Sequence, residues 1–367
     1  MKAILILEDG TVFEGESIGA PGTAIGEVVF ATGMTGYQEM LTDPSFAGQL
    51  LTLTYPLIGN YGTNSDDIES DRIQVEGFIV RELCEEPSNW RMSASLRDYL
   101  RQNGVVSIQG VDTRALTRRL RVHGVMMGAI STELAVPELK AELEKAPNYG
   151  AVNFVERVST KNAYDWTGDN WSKFLDLPEL KCRIALVDMG VKRNIARCLA
   201  KEGCECVVLP WNATADEIMS VRPDGVVFSP GPGDPRQLKE VVETMRQIIG
   251  KKPILGICLG HQIFGMAMGA DIIKLKFGHR GANQPVKNLL NGKVSITAQN
   301  HGYAVNPENL SDDVEVTHVN LNDGTVEGLR HKYLPVFSIQ YHPEASAGPL
   351  DEGYLFRKFV AGVMDTM

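Results

Sequence analysis

A cysteine nucleophile is indicated by residues 256–262, which read GICLGHQ. A strand-like apolar run ends at Ile257 and a helical pattern covers 262–268, so Cys258 lies at a sharp strand-to-helix turn among glycines. Glycine permits a tight backbone and leaves room for a substrate, and the same arrangement with serine is known as a nucleophile elbow. The start of a helix also favours a thiolate over a thiol. We therefore interpret Cys258 as a nucleophile rather than as a structural cysteine.

A base for this nucleophile is expected in residues 340–344, which read QYHPE. His342 follows a strand-like run at 336–339, so it should lie near the carboxyl end of a strand. Glu344 is close enough in the chain to hold the imidazole in one tautomer. A lone histidine here would more often be a loop residue, but beside the cysteine turn it favours catalysis. We predict Cys258 as nucleophile, His342 as general base and acid, and Glu344 as the residue that orients the imidazole.

A thioester mechanism also needs donors for the developing oxyanion. The backbone N–H of Leu259 is the first candidate, and the loop 229–235 (SPGPGDP) can bring the N–H of Gly231 to the same point. This loop lacks the Lys-Ser/Thr of a phosphate loop, and Arg236 stands where G-x-G-x-x-G requires its third glycine. The chain contains no phosphate-loop motif, so we expect any ATP in the reaction to bind elsewhere.

The elements that would position these residues alternate from residue 181 onward. Strands are predicted at 183–189, 204–210, 225–228 and 253–257, with helices at 192–201, 213–221 and 238–249 between them. This alternation predicts an α/β domain with a parallel, doubly wound sheet, whose chemistry lies at the carboxyl ends of its strands. The first half reads as short strands, turns and a few helices. We predict a strand-rich α+β domain at 1–150, an ordered connector at 151–180 and the doubly wound domain at 181–367.

The composition narrows the class of partner. The chain has 367 residues, of which 43% are hydrophobic, and a net charge of -10, which argues against nucleic acid or an anionic membrane as a partner. The apolar run 3–7 is too short for a signal-peptide core, and no stretch approaches the ~18 apolar residues that cross a bilayer. Six cysteines are too few for a disulfide scaffold, and the remaining histidines lack metal-ligand spacing. We expect a cytoplasmic chain without a metal site.

The motifs GICLGHQ, PGPGDP and QYHPE together resemble the class I glutamine amidotransferases, which use a Cys-His-Glu triad. Blocks in the first half resemble, more narrowly, the small chain of carbamoyl-phosphate synthetase, and the similarity runs from end to end. These blocks are TGMTGYQE at 32–39, LTDPS at 41–45, YPLIGNYG at 55–62 and DTRALTRR at 112–119, with GVKRN at 190–194 in the second half.

This resemblance implies a function and a set of contacts. The second domain would be the amidotransferase, and the first would meet a large chain that binds ATP and Mg²⁺. That chain would make carbamoyl phosphate for arginine synthesis, pyrimidine synthesis or both. No cofactor is expected in this chain itself. Ser45 would reach the glutamine from the first domain, and Lys192 is expected near the pocket. The implied glutamine contacts are Ser45, Gly231, Gly233, Leu259, Gln262, Asn300, Gly302 and Tyr303.

Two other functions are open at this point. The chain could be an amidotransferase subunit of a different synthetase, one that acts on chorismate or a nucleotide, and the blocks of the first half argue against this. It could also be a non-catalytic partner that only stabilises or regulates a synthetase, and the intact set of Cys258, His342 and Glu344 argues against that. Covalent labelling of Cys258 by a glutamine-like electrophile would separate the non-catalytic function from the enzymatic ones.

Overall fold

The computed structural model describes residues 1–168 and 178–367, and the chain divides into the units Met1–Phe154 and Val155–Met367. The predicted connector 151–180 spans this division, and its residues 169–177 lie outside the described part. Within the described part of the connector, Val155–Val158 is helical, and Tyr164–Trp166 is a strand of the second unit. The domain boundaries drawn from the sequence stay predictions.

The first unit is built around a closed barrel. Its strands are β1 (Lys2–Leu7), β2 (Val12–Ser17), β3 (Thr23–Ala31), β4 (Gln49–Leu53), β5 (Leu57–Ile58), β6 (Gly77–Ile79), β7 (Glu82–Leu83), β8 (Val106–Gln109) and β9 (Met126–Ser131). The barrel has the strand order β1-β2-β8-β6-β4-β3-β9, while β5 pairs with β7. Its helices are α1 (Tyr37–Thr42), α2 (Leu96–Gln102), α3 (Thr113–His123) and α4 (Val136–Lys145), with 3-10 turns at Pro44–Phe46 and Tyr149–Ala151.

Local chemistry explains where the helices of this unit begin. The side chains of Ser95 and Asp112 accept hydrogen bonds from the backbone N–H groups of Asp98 and Ala115, which caps α2 and α3. The strand β4 is buried along its whole length, as expected for a strand with parallel neighbours on both sides. The strand-rich first domain predicted from the sequence is therefore confirmed.

The second unit contains the strands β10 (Tyr164–Trp166), β11 (Cys182–Asp188), β12 (Cys204–Pro210), β13 (Gly225–Phe228), β14 (Ile254–Ile257), β15 (Asp271–Asn288), β16 (Val294–Asn306), β17 (Val314–Asn320), β18 (Val326–His331) and β19 (Val336–Ile339). Its helices are α5 (Val155–Val158), α6 (Arg193–Lys201), α7 (Ala215–Ser220), α8 (Lys239–Ile248), α9 (Leu259–Ala267) and α10 (Tyr354–Met364), with 3-10 turns at Pro235–Gln237 and Pro307–Asn309. None of the helices in the described ranges is long and apolar enough to cross a bilayer.

The strands of the second unit form one sheet in the order β10-β12-β11-β13-β14-β19-β18-β17-β15-β16. The central run β12-β11-β13-β14-β19 is parallel, and alternate residues of β11 enter different cores. Ala185 and Val187 pack in one core with residues of α7, α8 and α9, whereas Ile184 and Leu186 pack in the other with residues of α6 and α10. Helices therefore cover both faces, which confirms the predicted doubly wound α/β fold.

Two features differ from the prediction. The sheet continues through antiparallel strands β18, β17, β15 and β16, where the sequence analysis recognised no strands. The long pair β15/β16 carries many polar residues, and its register shifts between Gly281 and Gln284, so no regular alternation marks it. The helix after the cysteine begins at Leu259 and not at Gln262 as predicted, because the Cys258 carbonyl already accepts N–H groups of α9.

Candidate active site

Cys258 lies at the turn between the parallel strand β14 and the helix α9. Its backbone has φ 51° and ψ -100°, a conformation with positive φ that is rare for a residue with a side chain. The turn is held by the N–H of Cys258, which donates to the Ile339 carbonyl at 2.8 Å. Strain of this kind persists only where the surrounding structure imposes it, and it concentrates at functional sites. The strand-to-helix turn predicted from the sequence is thus present, with the cysteine at its apex.

Gly260 is required for this turn to pack against the sheet. A Cβ atom on Gly260 would lie 2.2 Å from the Phe228 carbonyl oxygen, which is backbone and cannot rotate away. We therefore expect Gly260→Ala to displace α9 and Cys258, and to lower kcat for glutamine by about 10²-fold, the usual cost of a misplaced reactive group. Steady-state glutaminase assays measure this. Gly362→Ala in α10, where the added methyl would meet nothing within 4 Å, is the matched control and should leave kcat unchanged. Equal loss in both variants would contradict this role of Gly260.

His342 is held in place by its backbone and by one ring nitrogen. Its N–H donates to the Ala298 carbonyl at 2.8 Å, and its Nδ1 lies 2.6 Å from Oε1 of Glu344. A carboxylate only accepts hydrogen bonds, so Nδ1 carries a proton in both states of the ring, and Nε2 is the nitrogen that gains or loses the second proton. Nε2 is buried and has no hydrogen-bond partner among the described residues. It is the nitrogen left to exchange a proton with the reactants.

The charges around the triad stabilise an ionised Glu344 and a protonated His342. Burial would raise the pKa of Glu344, but Lys192 and His342 outweigh burial and lower the pKa to about 2. Burial would likewise lower the pKa of His342, but Glu344 and Cys258 outweigh it and raise the pKa to about 10. The three residues of the triad are at most 3% exposed, so water screens these interactions little.

Lys192 contacts the carboxylate of Glu344 directly. Its Nζ lies 3.2 Å from Oε1 of Glu344 and also donates to the Ala345 carbonyl, while Nδ2 of Asn194 donates to the Glu344 carbonyl. The start of α6 therefore fixes the His-Pro-Glu segment. Lys192 was predicted to lie near the pocket and Asn194 had no predicted role, although both lie in the GVKRN block that carried the resemblance.

Removing the Lys192 charge should destabilise the protein. The pair with Glu344 is almost fully buried, with side chains 5% and 0% exposed, so Lys192→Met leaves a buried carboxylate with His342 but without its lysine partner. We expect the free energy of unfolding to fall by about 3 kcal/mol, measured by urea denaturation. The Lys192→Met/Glu344→Gln double variant should recover most of this loss, and Lys201→Met, at an exposed site of α6, should be neutral.

The free energy of unfolding at acidic pH provides an independent test of the pair between Lys192 and Glu344. The pKa of Glu344 is lowered in the folded state, so its contribution is present above the unfolded pKa and is lost as pH falls toward about 2. Without Lys192 the folded-state pKa of Glu344 should be higher, so this loss should be smaller and should be complete at a higher pH. A Lys192→Met protein with the parent's acid profile would contradict the proposed pairing.

Two of the predicted glutamine contacts of the second unit, Asn300 and Gln262, form hydrogen bonds with Cys258. The thiol donates to the Asn300 carbonyl at 3.7 Å, and Gln262 donates from Nε2 to the Tyr303 carbonyl at 2.8 Å. Gln262 also donates to Oε1 of Gln340 at 3.1 Å, so both of its amide hydrogens are used within the protein. Its own Oε1 is the atom that remains suited to a substrate ammonium group.

Gln340 is a contact that the sequence analysis missed. Its Nε2 donates to Sγ of Cys258 at 3.6 Å, and its backbone N–H donates to the Glu327 carbonyl at 2.9 Å. The residue is fully buried. Gln340 is the first residue of the QYHPE motif, two positions before His342. Its place in that motif could have identified it as a residue of the site.

The oxyanion candidates also lie together. Leu259 is the first residue of α9, so its N–H has no carbonyl partner within the helix. A Cβ on Gly231 would lie 2.8 Å from Cδ2 of Leu259 and 2.1 Å from the Met189 carbonyl oxygen, so the loop after β13 passes directly against the elbow. The N–H of Gly260 binds this loop by donating to the Ser229 carbonyl at 3.1 Å.

The remaining predicted contacts are placed as follows. Gly233 is in the loop after β13 with φ 91°, and Gly302 is on β16 between Asn300 and Tyr303. Ser45 belongs to the first unit, in the 3-10 turn Pro44–Phe46, and its contact with glutamine stays a prediction. Its N–H donates to the capping carboxylate of Asp43 at 2.8 Å.

Family models and individual relatives of known function identify the same family. Residues 5–130 match the family described as the carbamoyl-phosphate synthase small chain, CPSase domain, and residues 185–361 match glutamine amidotransferase class-I. The chain is 50% identical to a carbamoyl phosphate synthase small chain of Syntrophotalea carbinolica, over 98% of this chain and 97% of the relative. It is 52% identical to those of Thermosynechococcus vestitus and Bacillus cereus, over 98% of this chain and 96% and 95% of the relatives.

Proposed function

The chain belongs to the family of carbamoyl-phosphate synthase small chains, and we propose that it releases ammonia from glutamine on Cys258 for use by a larger, ATP-dependent partner chain. Its glutamine amidotransferase domain makes it an enzyme of the glutamine-hydrolysing class. The observation that supports the chemistry most strongly is the strained turn that presents Cys258, together with the bond between His342 and Glu344. If the chain were a non-catalytic partner, it would have no need of the strained backbone at Cys258.

Formation of the thioester is the first chemical step of the proposal. The Cys258 thiolate attacks the side-chain amide carbon of glutamine, and the carbonyl oxygen becomes an oxyanion near the N–H groups of Leu259 and Gly231. The protonated Nε2 of His342 then gives its proton to the departing nitrogen, so that ammonia leaves and a γ-glutamyl thioester remains. The raised pKa of His342 favours this step, because the imidazole is protonated before the attack.

Hydrolysis of the thioester then uses the same histidine as a base. The Cys258 thiolate is one of the two groups that raise the pKa of His342, and acylation removes its charge. The pKa of His342 should therefore fall in the thioester, which favours the neutral imidazole that can act as a base. It takes a proton from water, the hydroxide attacks the thioester carbon, and glutamate leaves with the thiolate restored. Lys192 and Glu344 keep Nδ1 protonated and Nε2 directed at the reactants throughout both steps.

The glutamine itself would be held by the atoms that face Cys258. We propose contacts from Gly231, Gly233, Leu259, Gln262, Asn300, Gly302 and Tyr303, of which Leu259 and Gly231 serve the oxyanion. Oxygen acceptors such as Oε1 of Gln262 suit the α-ammonium group, and backbone N–H groups suit the α-carboxylate. The thioester chemistry needs no cofactor in this chain.

The product would be consumed by a larger chain that binds ATP and Mg²⁺ and makes carbamoyl phosphate for arginine synthesis, pyrimidine synthesis or both. The match of residues 5–130 to the small-chain domain supports this over another synthetase. The experiment that tests the pairing is co-purification of the tagged chain with its native partner, followed by mass spectrometry and an assay for carbamoyl phosphate. A different synthetase in the complex would leave the glutamine chemistry intact and overturn the pathway.

A further inference from the structure

A second cluster of ionisable residues lies in the antiparallel half of the sheet. His279 on β15 and His301 on β16 are register partners, and Glu327 reaches them from β18. One ligand atom from each of the three residues lies within 4.8 Å of those of the other two. The residues are 7%, 6% and 0% exposed. The cluster takes no part in the steps proposed for Cys258.

The hydrogen bonds on the outer side of each ring fix which nitrogen faces inward. Nε2 of His279 lies 2.8 Å from Oδ2 of Asp323, and Nδ1 of His301 lies 2.8 Å from the Tyr303 carbonyl oxygen. Carboxylate and carbonyl oxygens only accept, so these two ring nitrogens carry the protons. Nδ1 of His279 and Nε2 of His301 therefore present lone pairs to the centre of the cluster.

The oxygens at the centre are also acceptors. Oε1 of Glu327 lies 3.6 Å from Nδ1 of His279 and accepts a hydrogen bond from Asn320 at 2.9 Å. Asn320 is 3.5 Å from the same ring nitrogen, at the limit of a hydrogen bond. The second oxygen, Oε2 of Glu327, is buried and has no hydrogen-bond partner within the described part of the chain.

A fourth residue, Gln299, also offers an acceptor, since its Oε1 lies 3.0 Å from Nε2 of His301. The orientation of this amide is set by its neighbour. The hydroxyl of Thr297 donates to the Gln284 carbonyl, so it must accept from Nε2 of Gln299, which directs Oε1 at the histidine. Two acceptors at this distance repel one another unless a positive charge lies between them.

We propose that His279, His301 and Glu327 bind a divalent transition-metal cation of the Zn²⁺ class, with Oε1 of Gln299 as a neighbouring oxygen. Two imidazole nitrogens and a carboxylate are a usual donor set for Zn²⁺. Asp323 and the Tyr303 carbonyl would act as the outer hydrogen-bond partners that metal-binding histidines commonly have. Zn–N bonds of about 2.0–2.1 Å imply donors about 3.4 Å apart, so the ligands need to move together by roughly 1 Å.

The role of this ion would be structural. It would join β15, β16 and β18, and β16 carries Asn300, Gly302 and Tyr303, three of the predicted glutamine contacts. The sequence analysis expected no metal, because these ligands lie far apart in the chain and only the register of β15 on β16 brings the histidines together.

The test is direct metal binding to the full chain with Cys258→Ser, stripped with a chelator. This background removes the thiol next to His342 as a competing ligand. Calorimetric titration with Zn²⁺ alone should give about one ion per chain, and Glu327→Gln should weaken binding by at least about 100-fold because it replaces a ligand of opposite charge by a neutral amide. Glu308→Gln, at an exposed position, is the matched control and should bind as the parent does.

Two further measurements test two alternatives: that the metal is bound by cysteine thiols, and that the His279, His301 and Glu327 cluster holds a proton in place of a metal. Asp323→Asn should weaken Zn²⁺ binding by about 10- to 100-fold, since it removes only an outer partner, and it remains informative if Glu327→Gln fails to fold. Co²⁺ should give a spectrum without thiolate charge-transfer bands. Such bands would assign the ion to the buried thiols of Cys182, Cys204 and Cys206 and overturn the proposal. The absence of stoichiometric binding would also overturn it and would indicate that a proton on His279 supplies the charge.

Discussion

Replacing Cys258 with serine should lower carbamoyl phosphate synthesis from glutamine by the proposed complex at least about 10³-fold, and should leave synthesis from added ammonia at the level of the parent. The serine hydroxyl is a far weaker nucleophile than a thiolate and does not form the thioester, but it preserves the shape of the elbow. With added ammonium, the proposed partner chain would take ammonia from solution and would not need the cysteine. Parallel assays with glutamine and with ammonium chloride measure both activities.

Cys84→Ser is the matched control for this variant, because Cys84 is a half-buried thiol of the first unit. It should leave both activities unchanged. Equal loss of the glutamine-dependent and ammonia-dependent activities in Cys258→Ser would mean that the cysteine supports the structure of the complex, and it would contradict the role assigned here. Retention of glutamine-dependent synthesis would contradict the thioester itself.

Replacing His342 with asparagine should lower kcat/KM for glutamine by about 10³-fold, within the range that general acid-base catalysis contributes. The variant removes both the proton that ammonia takes and the base that activates water, while the amide can still contact Glu344. Labelling of Cys258 by a glutamine-like electrophile should also slow at neutral pH, since the imidazolium no longer stabilises the thiolate. Steady-state kinetics and timed labelling with mass spectrometry measure the two effects.

His123→Asn is the control for His342→Asn, because His123 is an exposed residue at the end of α3. The two readouts should change together if His342 acts on both the cysteine and the leaving group. Normal labelling with impaired turnover would mean that His342 does not activate the cysteine and acts only in the release of ammonia or in hydrolysis. Normal turnover in His342→Asn would remove it from the mechanism.

The catalytic motifs were readable from the sequence because each is short and local. The turn at Cys258 needs glycines beside a buried strand, and the base and its carboxylate lie two residues apart. The parallel strands were predictable as well, since continuous apolar runs mark strands that are buried on both faces.

The contacts that complete the site depend on tertiary packing and were less visible. Lys192 reaches Glu344, and Gln340 reaches Cys258, only because strands far apart in the chain end at the same edge of the sheet. The antiparallel extension through β15 and β16 escaped prediction because its polar residues and register shifts obscure the alternation. The cluster of His279, His301 and Glu327 depends on that extension and was hidden for the same reason.

The transfer of nitrogen from glutamine to carbamoyl phosphate tests the central claim most directly. The tagged chain is purified with its native partner and supplied with glutamine labelled with ¹⁵N in the side-chain amide, in the presence of unlabelled ammonium. We expect a larger ATP-binding partner and carbamoyl phosphate that carries mainly ¹⁵N, with no label in the product of the Cys258→Ser complex. Unlabelled carbamoyl phosphate from the parent complex, or label that persists without Cys258, would contradict it.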